Sequence, residues 1–254
     1  DLAIEGRERV ESVRFRHRGH EQSMRASLVL LHEGVIPNAH LTFAAQLDHV
    51  WDARQHAFRP TADEWGRTSE PGVLVAGDGA RILGAEAAVE TGRIAALEVA
   101  YRLGRIRVQD RDLLAGPHRA SLARHRRFRE FLDHAFEPGA AALRPSDPAV
   151  TVCRCEEVTA GEIERVIADG CPGPNQAKAF TRCGMGPCQG RMCATVVSEM
   201  FAERRRAGVG TVGHGRIRPP IKPLTVGELA TLEGTGAVPM DRPSTPIRPK
   251  HTQA

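Results

Sequence analysis

Pro71 to Ala100 reads P-G-V-L-V-A-G-D-G-A-R-I-L-G-A-E-A-A-V-E-T-G-R-I-A-A-L-E-V-A. The short apolar run Val73 to Ala76 predicts a buried parallel strand, and Gly77-Asp78-Gly79 breaks it into a tight turn. A helix is expected from about Gly84 to Arg102, with Ala85, Ala87, Ala88, Gly92, Ala95 and Ala96 small enough for close packing. Strand, glycine turn and helix N-terminus in that order make a place for an anion or a cofactor. Asp78 at the strand's carboxyl end can accept hydrogen bonds from hydroxyl groups. A plain α/β turn with Asp78 as a cap is the competing reading of a lone G-D-G.

Downstream, all six cysteines fall between Cys153 and Cys193. V-C-R-C-E-E-V-T spans Val152 to Thr159, and T-R-C-G-M-G-P-C-Q-G-R-M-C spans Thr181 to Cys193. Cys153, Cys155, Cys188 and Cys193 thus form C-x-C, a 32-residue gap, then C-x4-C. Four thiolates satisfy a 2Fe-2S centre, with each short pair expected to hold one iron. Gly184, Gly186 and Gly190 leave backbone amides able to approach sulfur and stabilise negative charge. Structural zinc also takes four cysteines, although C-x-C is a poorer knuckle for it. Disulfides would suit the even count but need an oxidising compartment. Cys171 and Cys183 are left over and read as small buried residues.

This cysteine pattern, with G-M-G-x-C-Q-G-x-x-C, resembles the 2Fe-2S module related to bacterioferritin-associated ferredoxin, as fused to certain flavin-dependent oxidoreductases. That resemblance implies Cys153, Cys155, Cys188 and Cys193 as cluster ligands. The Pro71 to Ala100 segment is similar to the second flavin-binding motif of two-dinucleotide-binding-domain flavoproteins. It implies that Asp78 binds the ribityl hydroxyls of FAD, that Gly77, Gly79, Gly84 and Ala85 line the turn, and that Thr68 holds the threonine position before the strand. The helix's positive end would then favour negative charge on a reduced flavin. Ser27 to Asn38, S-L-V-L-L-H-E-G-V-I-P-N, resembles the strand returning from the nicotinamide-nucleotide-type domain, with Pro37 and Asn38 at the crossover. His40, Leu41, Trp51 and Asp52 resemble the branch containing flavoprotein subunits of opine oxidases, hydrogen cyanide synthase and amino-acid dehydrogenases. His32, His40 and His49 read as structural, because no paired acid or nucleophile accompanies them.

The fold class expected is α/β, a partial FAD/NAD-binding Rossmann-like domain followed by a small, mainly helical 2Fe-2S domain. Residues 1–38 would end a nucleotide-binding domain, 39–104 close an FAD domain, 105–149 form a helical connector, 150–206 carry the cluster and 207–254 form an extended, partly disordered Pro-rich tail. Within residues 150–206, Thr159-Ala-Gly-Glu162 predicts a capping box ahead of a short helix ended by Gly170. A longer helix is expected from Gln189 to Arg205, with Cys193 in its first turn. The opening residues predict two alternating strands joined by a turn near Gly19.

At 254 residues and 41% hydrophobic content there is material for buried cores. Thirty-five basic against 31 acidic residues give a net charge of +4, which fits a solvated surface better than nucleic-acid binding. Arg119 to Arg129 is read as the wet face of an amphipathic helix whose apolar side carries Leu122, Phe128, Phe131 and Leu132, with an anionic docking site as the alternative. No apolar run approaches a membrane span, so cytoplasmic residence is the default expectation. No G-x-G-x-x-G is present to receive a pyrophosphate. The chain is therefore expected to be the C-terminal half of a longer flavoprotein or a truncated gene product, and NAD(P) remains a further candidate cofactor.

The expected activity is electron transfer within an FAD-dependent oxidoreductase complex oxidising an amine or amino acid, such as an opine, a proline derivative or glycine. The resemblance implies a flavin-containing oxidase or dehydrogenase partner and a small ferredoxin-like subunit. The alternative is a non-catalytic binding or assembly module folded around zinc or a cluster.

Overall fold

The computed structural model describes residues 2–32 and 34–231. β1 (Leu2–Glu5), β2 (Ser12–His17) and β3 (His20–Arg25) form an antiparallel sheet in the order β1-β2-β3. The expected turn lies between β2 and β3, where Arg18 and Gly19 both take positive φ, 49° and 81°. Such a pair matches the right-handed twist of a hairpin. Every residue of β3 is exposed, so alternation there buries nothing.

Ser27 to Leu31 is not a strand, and Leu28, Leu30 and Leu31 are 73%, 85% and 62% exposed. Val73–Ala76 is likewise not a parallel strand. Leu74 makes a single antiparallel bridge to Arg67, and Val75 N–H donates to the Gly66 carbonyl at 2.8 Å. A strand exists only where a neighbour accepts its hydrogen bonds, and among the described residues no strand runs parallel beside either segment. The chain is a mixed helix and sheet protein whose described strands all pair antiparallel.

After the buried Pro37 come α1 (His40–Ala44) and a hairpin of β4 (His49–Asp52) and β5 (Ala57–Pro60). The hairpin tip is tied in two directions. Gln55 Nε2 donates to the Ile82 carbonyl at 2.8 Å and to Asp133 Oδ2 at 3.1 Å, while His56 Nδ1 pairs with Glu199 Oε1 at 3.0 Å. The G-D-G turn is one 3-10 turn, Gly77–Gly79, and leads to α2 (Ala85–Arg102), which packs on α3 (Val108–Ala135).

Small residues let these two helices approach, since Ala87 and Ala115 are 1% and 0% exposed, and Trp65, Ile94 and Leu122 complete that core. The inward stripe of α3 runs through Arg111, Ala115, Leu122 and Asp133 at helical spacing. Phe128 and Phe131 lie off that stripe, 63% and 61% exposed, so only Leu122 of the expected apolar face is fully buried. Several arginines of this helix turn inward instead. Arg111 and Arg119 sandwich the Trp65 ring from 4.0 and 4.2 Å.

A second core holds the cysteines. α4 (Ala140–Leu143), β6 (Thr151–Cys153) and β7 (Val158–Thr159) precede α5 (Ala160–Ala168), α6 (Pro174–Thr181) and α7 (Ala194–Arg205). The Thr159/Glu162 capping box opens α5, and Gly170 at φ 91° follows it. α7 begins only at Ala194. Gln189 and Gly190 take φ 54° and 83°, a left-handed pair that cannot continue a helix.

Residues 207–231 depart from the extended tail expected of them. α8 (Val209–Val212) packs on α7, Ser198 Oγ donates to the Gly213 carbonyl at 3.0 Å, and Lys178 Nζ donates to the Arg216 carbonyl at 2.8 Å. These partners give the segment's carbonyls homes that a free tail lacks. A short α9 (Val226–Ala230) follows, and Pro239, Pro243, Pro246 and Pro249 lie outside the described residues. Among the described residues no helix is long and apolar enough to cross a membrane.

Candidate cofactor sites

Five of the six cysteines converge where β6, the loop before α7 and the start of α7 meet. Cys153, Cys183 and Cys193 place their sulfurs within 4.8 Å of one another, all three buried. Cys155 is exposed and Cys188 half-buried, and their thiols are hydrogen-bonded to each other. The sulfurs therefore do not group as the motifs divide them. Each short motif contributes one buried thiol, Cys153 or Cys193, and one outer thiol, Cys155 or Cys188.

Cys183, set aside in the sequence, stands among the buried sulfurs. No spacing rule indicates it, since only the loop closure over α6 brings it there. Cys171 is a small buried residue, as read, with Sγ 3.5 Å from the Gly173 carbonyl.

Gly184 and Gly190 bring amides to sulfur, whereas Gly186 matters for its missing side chain. Gly184 N–H lies 3.5 Å from Cys153 Sγ. A Cβ on Gly186 would stand 2.3 Å from Cys155 Cβ, so no other residue leaves Cys155 where it is. The left-handed turn at Gln189 and Gly190 aims the amides of Gly190, Arg191 and Met192 at Cys188. Burial works to raise the Cys188 thiol, but those amides and the Cys155 thiol outweigh it and bring it below the ordinary range. Cys193 is pushed up, first by its hydrogen bond with Cys183 and then by burial. A positive metal centre would reverse that balance, because thiols bind metals as thiolates. The thiols supply a soft donor set of the kind that holds zinc or an iron–sulfur centre.

The loop is braced from the other end of the chain. His40 Nε2 donates to the Gln189 carbonyl at 2.8 Å, and Arg191 Nε reaches Asn38 Oδ1 at 3.4 Å. His49 and His214 stack on the two sides of Phe43, 3.7 and 4.3 Å between centroids. His40 and His49 thus each make contacts within the fold.

The second site surrounds the G-D-G turn. Gly77 has φ 64°, donates its N–H to Thr91 Oγ1 at 2.9 Å, and would bring a Cβ to 3.3 Å from Ala88 Cβ. Beside it lies a cavity of about 150 Å³ lined by Ala76, Gly77, Ala88, Thr91, Arg59, Arg81 and Arg126. Sequence reasoning misses these arginines, which reach the turn only through tertiary packing. Asp78, Gly84 and Ala85 are exposed on the turn and helix start and do not line the cavity; Gly79 is half-exposed. No side chain caps α2, so its first-turn amides have no capping partner from Gly84. The cavity is smaller than the roughly 300–1,000 Å³ that encloses a whole organic ligand.

Residues 150–232 match the Sarcosine oxidase A3 domain family. Over 92% of its length the chain is 47% identical to an opine oxidase subunit of Rhizobium meliloti, of which it covers 44%. The chain is homologous to an opine oxidase subunit. The corresponding protein of Agrobacterium tumefaciens is 46% identical over 92% of the chain and 47% of the relative. Hydrogen cyanide synthase subunit HcnB of Pseudomonas aeruginosa is 35% identical over 84% of the chain and 45% of the relative. The chain thus spans less than half the length of these curated relatives. Its fold resembles the crystal structure of L-proline dehydrogenase from P. horikoshii, with a TM-score of 0.65 at 21% identity over 89% of this chain and 43% of that one.

Proposed function

We propose that this chain is an electron-transferring part of a flavin and iron–sulfur oxidoreductase complex that oxidises an amine or amino acid. The observation that carries the reading is the convergence of Cys153, Cys155, Cys183, Cys188 and Cys193 in one loop system, on a chain that also bears the G-D-G cavity. The opine oxidase subunits among its relatives support oxidation of a C–N bond, with opines, proline derivatives and glycine as the candidate substrates. Relatives named as subunits support a partner that completes the enzyme; a flavin-containing oxidase or dehydrogenase chain is the proposed one, with a small ferredoxin-like protein beside it.

A flavin would supply the two-electron oxidation and a 2Fe-2S centre the one-electron exchange. Cys153, Cys155, Cys188 and Cys193 would hold the cluster, while the amides of Gly184, Gly190, Arg191 and Met192 offset negative charge on its thiolates. Gly77, Asp78, Gly79, Gly84 and Ala85 would supply the flavin side. Among them Gly77 permits close approach and Asp78 offers an exposed carboxylate to hydroxyls. NAD(P) remains a candidate for a neighbouring domain.

Metal analysis tests the reading. Two irons and two acid-labile sulfides per chain, with the visible spectrum of a 2Fe-2S centre after anaerobic purification, are expected; stoichiometric zinc without iron would defeat it. The second reading, a module folded by a single metal ion, is favoured by one observation only, the tight grouping of Cys153, Cys183 and Cys193.

A further inference from the structure

This chain carries one thiol more at its cysteine site than a four-thiolate cluster requires. Cys183 Sγ lies within 4.8 Å of the sulfurs of Cys153 and Cys193, and the three residues are 3%, 1% and 2% exposed. With metal–sulfur bonds of about 2.3 Å, thiolates around one tetrahedral ion stand about 3.8 Å apart. The trio is therefore close to three corners of one tetrahedron, and a small contraction completes it. Room for a fourth ligand lies beside two of the three sulfurs, where a cavity of about 30 Å³, enough to admit a water molecule, opens against Cys183 and Cys193.

We propose that Cys153, Cys183 and Cys193 form a mononuclear site for a soft divalent cation, zinc or iron(II), with a solvent molecule from that cavity as fourth ligand. The site shares Cys153 and Cys193 with the four-thiolate cluster set, so the two fillings exclude each other. It does not require the iron–sulfur reading to be correct. Binding releases three thiol protons and changes no oxidation state. Three thiolates around a dication leave one negative charge. Lys178, which lines the same cavity, Gly184 N–H at Cys153 and the N-terminus of the 12-residue α7 all face that charge with the opposite sign.

Cobalt(II) chloride, titrated anaerobically into the reduced full chain, is the probe, because tetrahedral thiolate coordination to cobalt gives intense sulfur-to-metal charge-transfer absorption. One cobalt per chain with that absorption is expected for the natural chain and for Cys171→Ser, and at least a tenfold weaker affinity for Cys183→Ser. Equal affinity in Cys183→Ser, or no binding by the natural chain, overturns the proposal. Alkylation mapping of the zinc-loaded natural chain decides the matter without any variant. Protection of Cys153, Cys183 and Cys193 with Cys155 alkylated supports the site, whereas protection of Cys155 and Cys188 with Cys183 alkylated overturns it. Iron and sulfide uptake by Cys183→Ser is measured alongside. Retention of two irons there supports the cluster ligand set, and its failure in the natural chain would count against the cluster alone.

Discussion

His40 Nε2 donates a hydrogen bond to the main-chain oxygen of Gln189 at 2.8 Å, joining residues 149 positions apart. Because the acceptor is a carbonyl, the imidazole proton is on Nε2. Gln189 is left-handed, and the amides that follow it face Cys188. The bond therefore pins the turn that shapes the outer thiol's surroundings. His40→Ala is expected to cost about 1–2 kcal/mol in urea unfolding and to speed metal loss to a chelator several-fold. His40→Gln, which keeps a side-chain N–H donor, should recover part of both; recovery of stability without slower metal loss would show that the bond does not act on the thiol loop.

Gly186→Ala tests the approach of the two cysteine motifs. The new methyl group would fall 2.3 Å from Cys155 Cβ and 3.1 Å from Glu156 Oε1, so Cys155 must leave its place beside the other thiols. Iron and sulfide incorporation is expected to fall at least tenfold while far-UV circular dichroism stays unchanged. Incorporation at the natural level would remove Cys155 from the ligand set.

Acidification should weaken the fold through the histidines around Phe43. Burial is the main force holding His214 down to about 4, against the pull of the Gly215 carbonyl, and His40 and His49 are lowered chiefly by burial too. Between the ordinary value near 6.5 and that value of about 4, the unfolded chain binds a proton that the folded chain refuses. Stability from His214 is thus complete above about pH 6.5 and is lost as pH falls toward about 4, by up to about 3 kcal/mol. Urea midpoints at pH 7 and pH 5 measure it, and His214→Gln should flatten the difference.

Glu98 is the buried charge on which the α2–α3 core depends. It is 1% exposed and accepts from Arg102 Nε at 2.8 Å and Arg111 Nη1 at 2.7 Å, with Arg67 Nη1 3.7 Å away. Burial opposes its charge, but the arginines outweigh burial and keep the carboxyl below its usual range. Removing one partner from such a group leaves uncompensated buried charge, so Glu98→Ala is expected to cost about 3–5 kcal/mol. A loss under about 1 kcal/mol by chemical unfolding would show that Arg67, Arg102 and Arg111 find other partners.

Much of the local structure is legible in the sequence because it rests on local rules. The Gly19 hairpin, the capping box at Thr159 and the long α2 and α3 helices each follow from residues close in sequence. Val73–Ala76 and Ser27–Leu31 mislead because apolar β-forming runs become strands only beside a partner, and none is paired with them in that way. Phe128 and Phe131 mislead because α3 turns charged residues toward the core, where Trp65, Glu98 and Gln55 receive them.

By itself, the sequence determined the chemistry available to this protein, namely soft thiol donors in one short region and a glycine turn before an alanine-rich helix. Those depend on residue type and near spacing. Only the tertiary structure decided which donors meet. Cys183 joins Cys153 and Cys193, His40 reaches Gln189, and Arg59, Arg81 and Arg126 reach the Gly77 cavity. The physical reason is that these meetings depend on packing between segments distant along the chain, which no local spacing encodes.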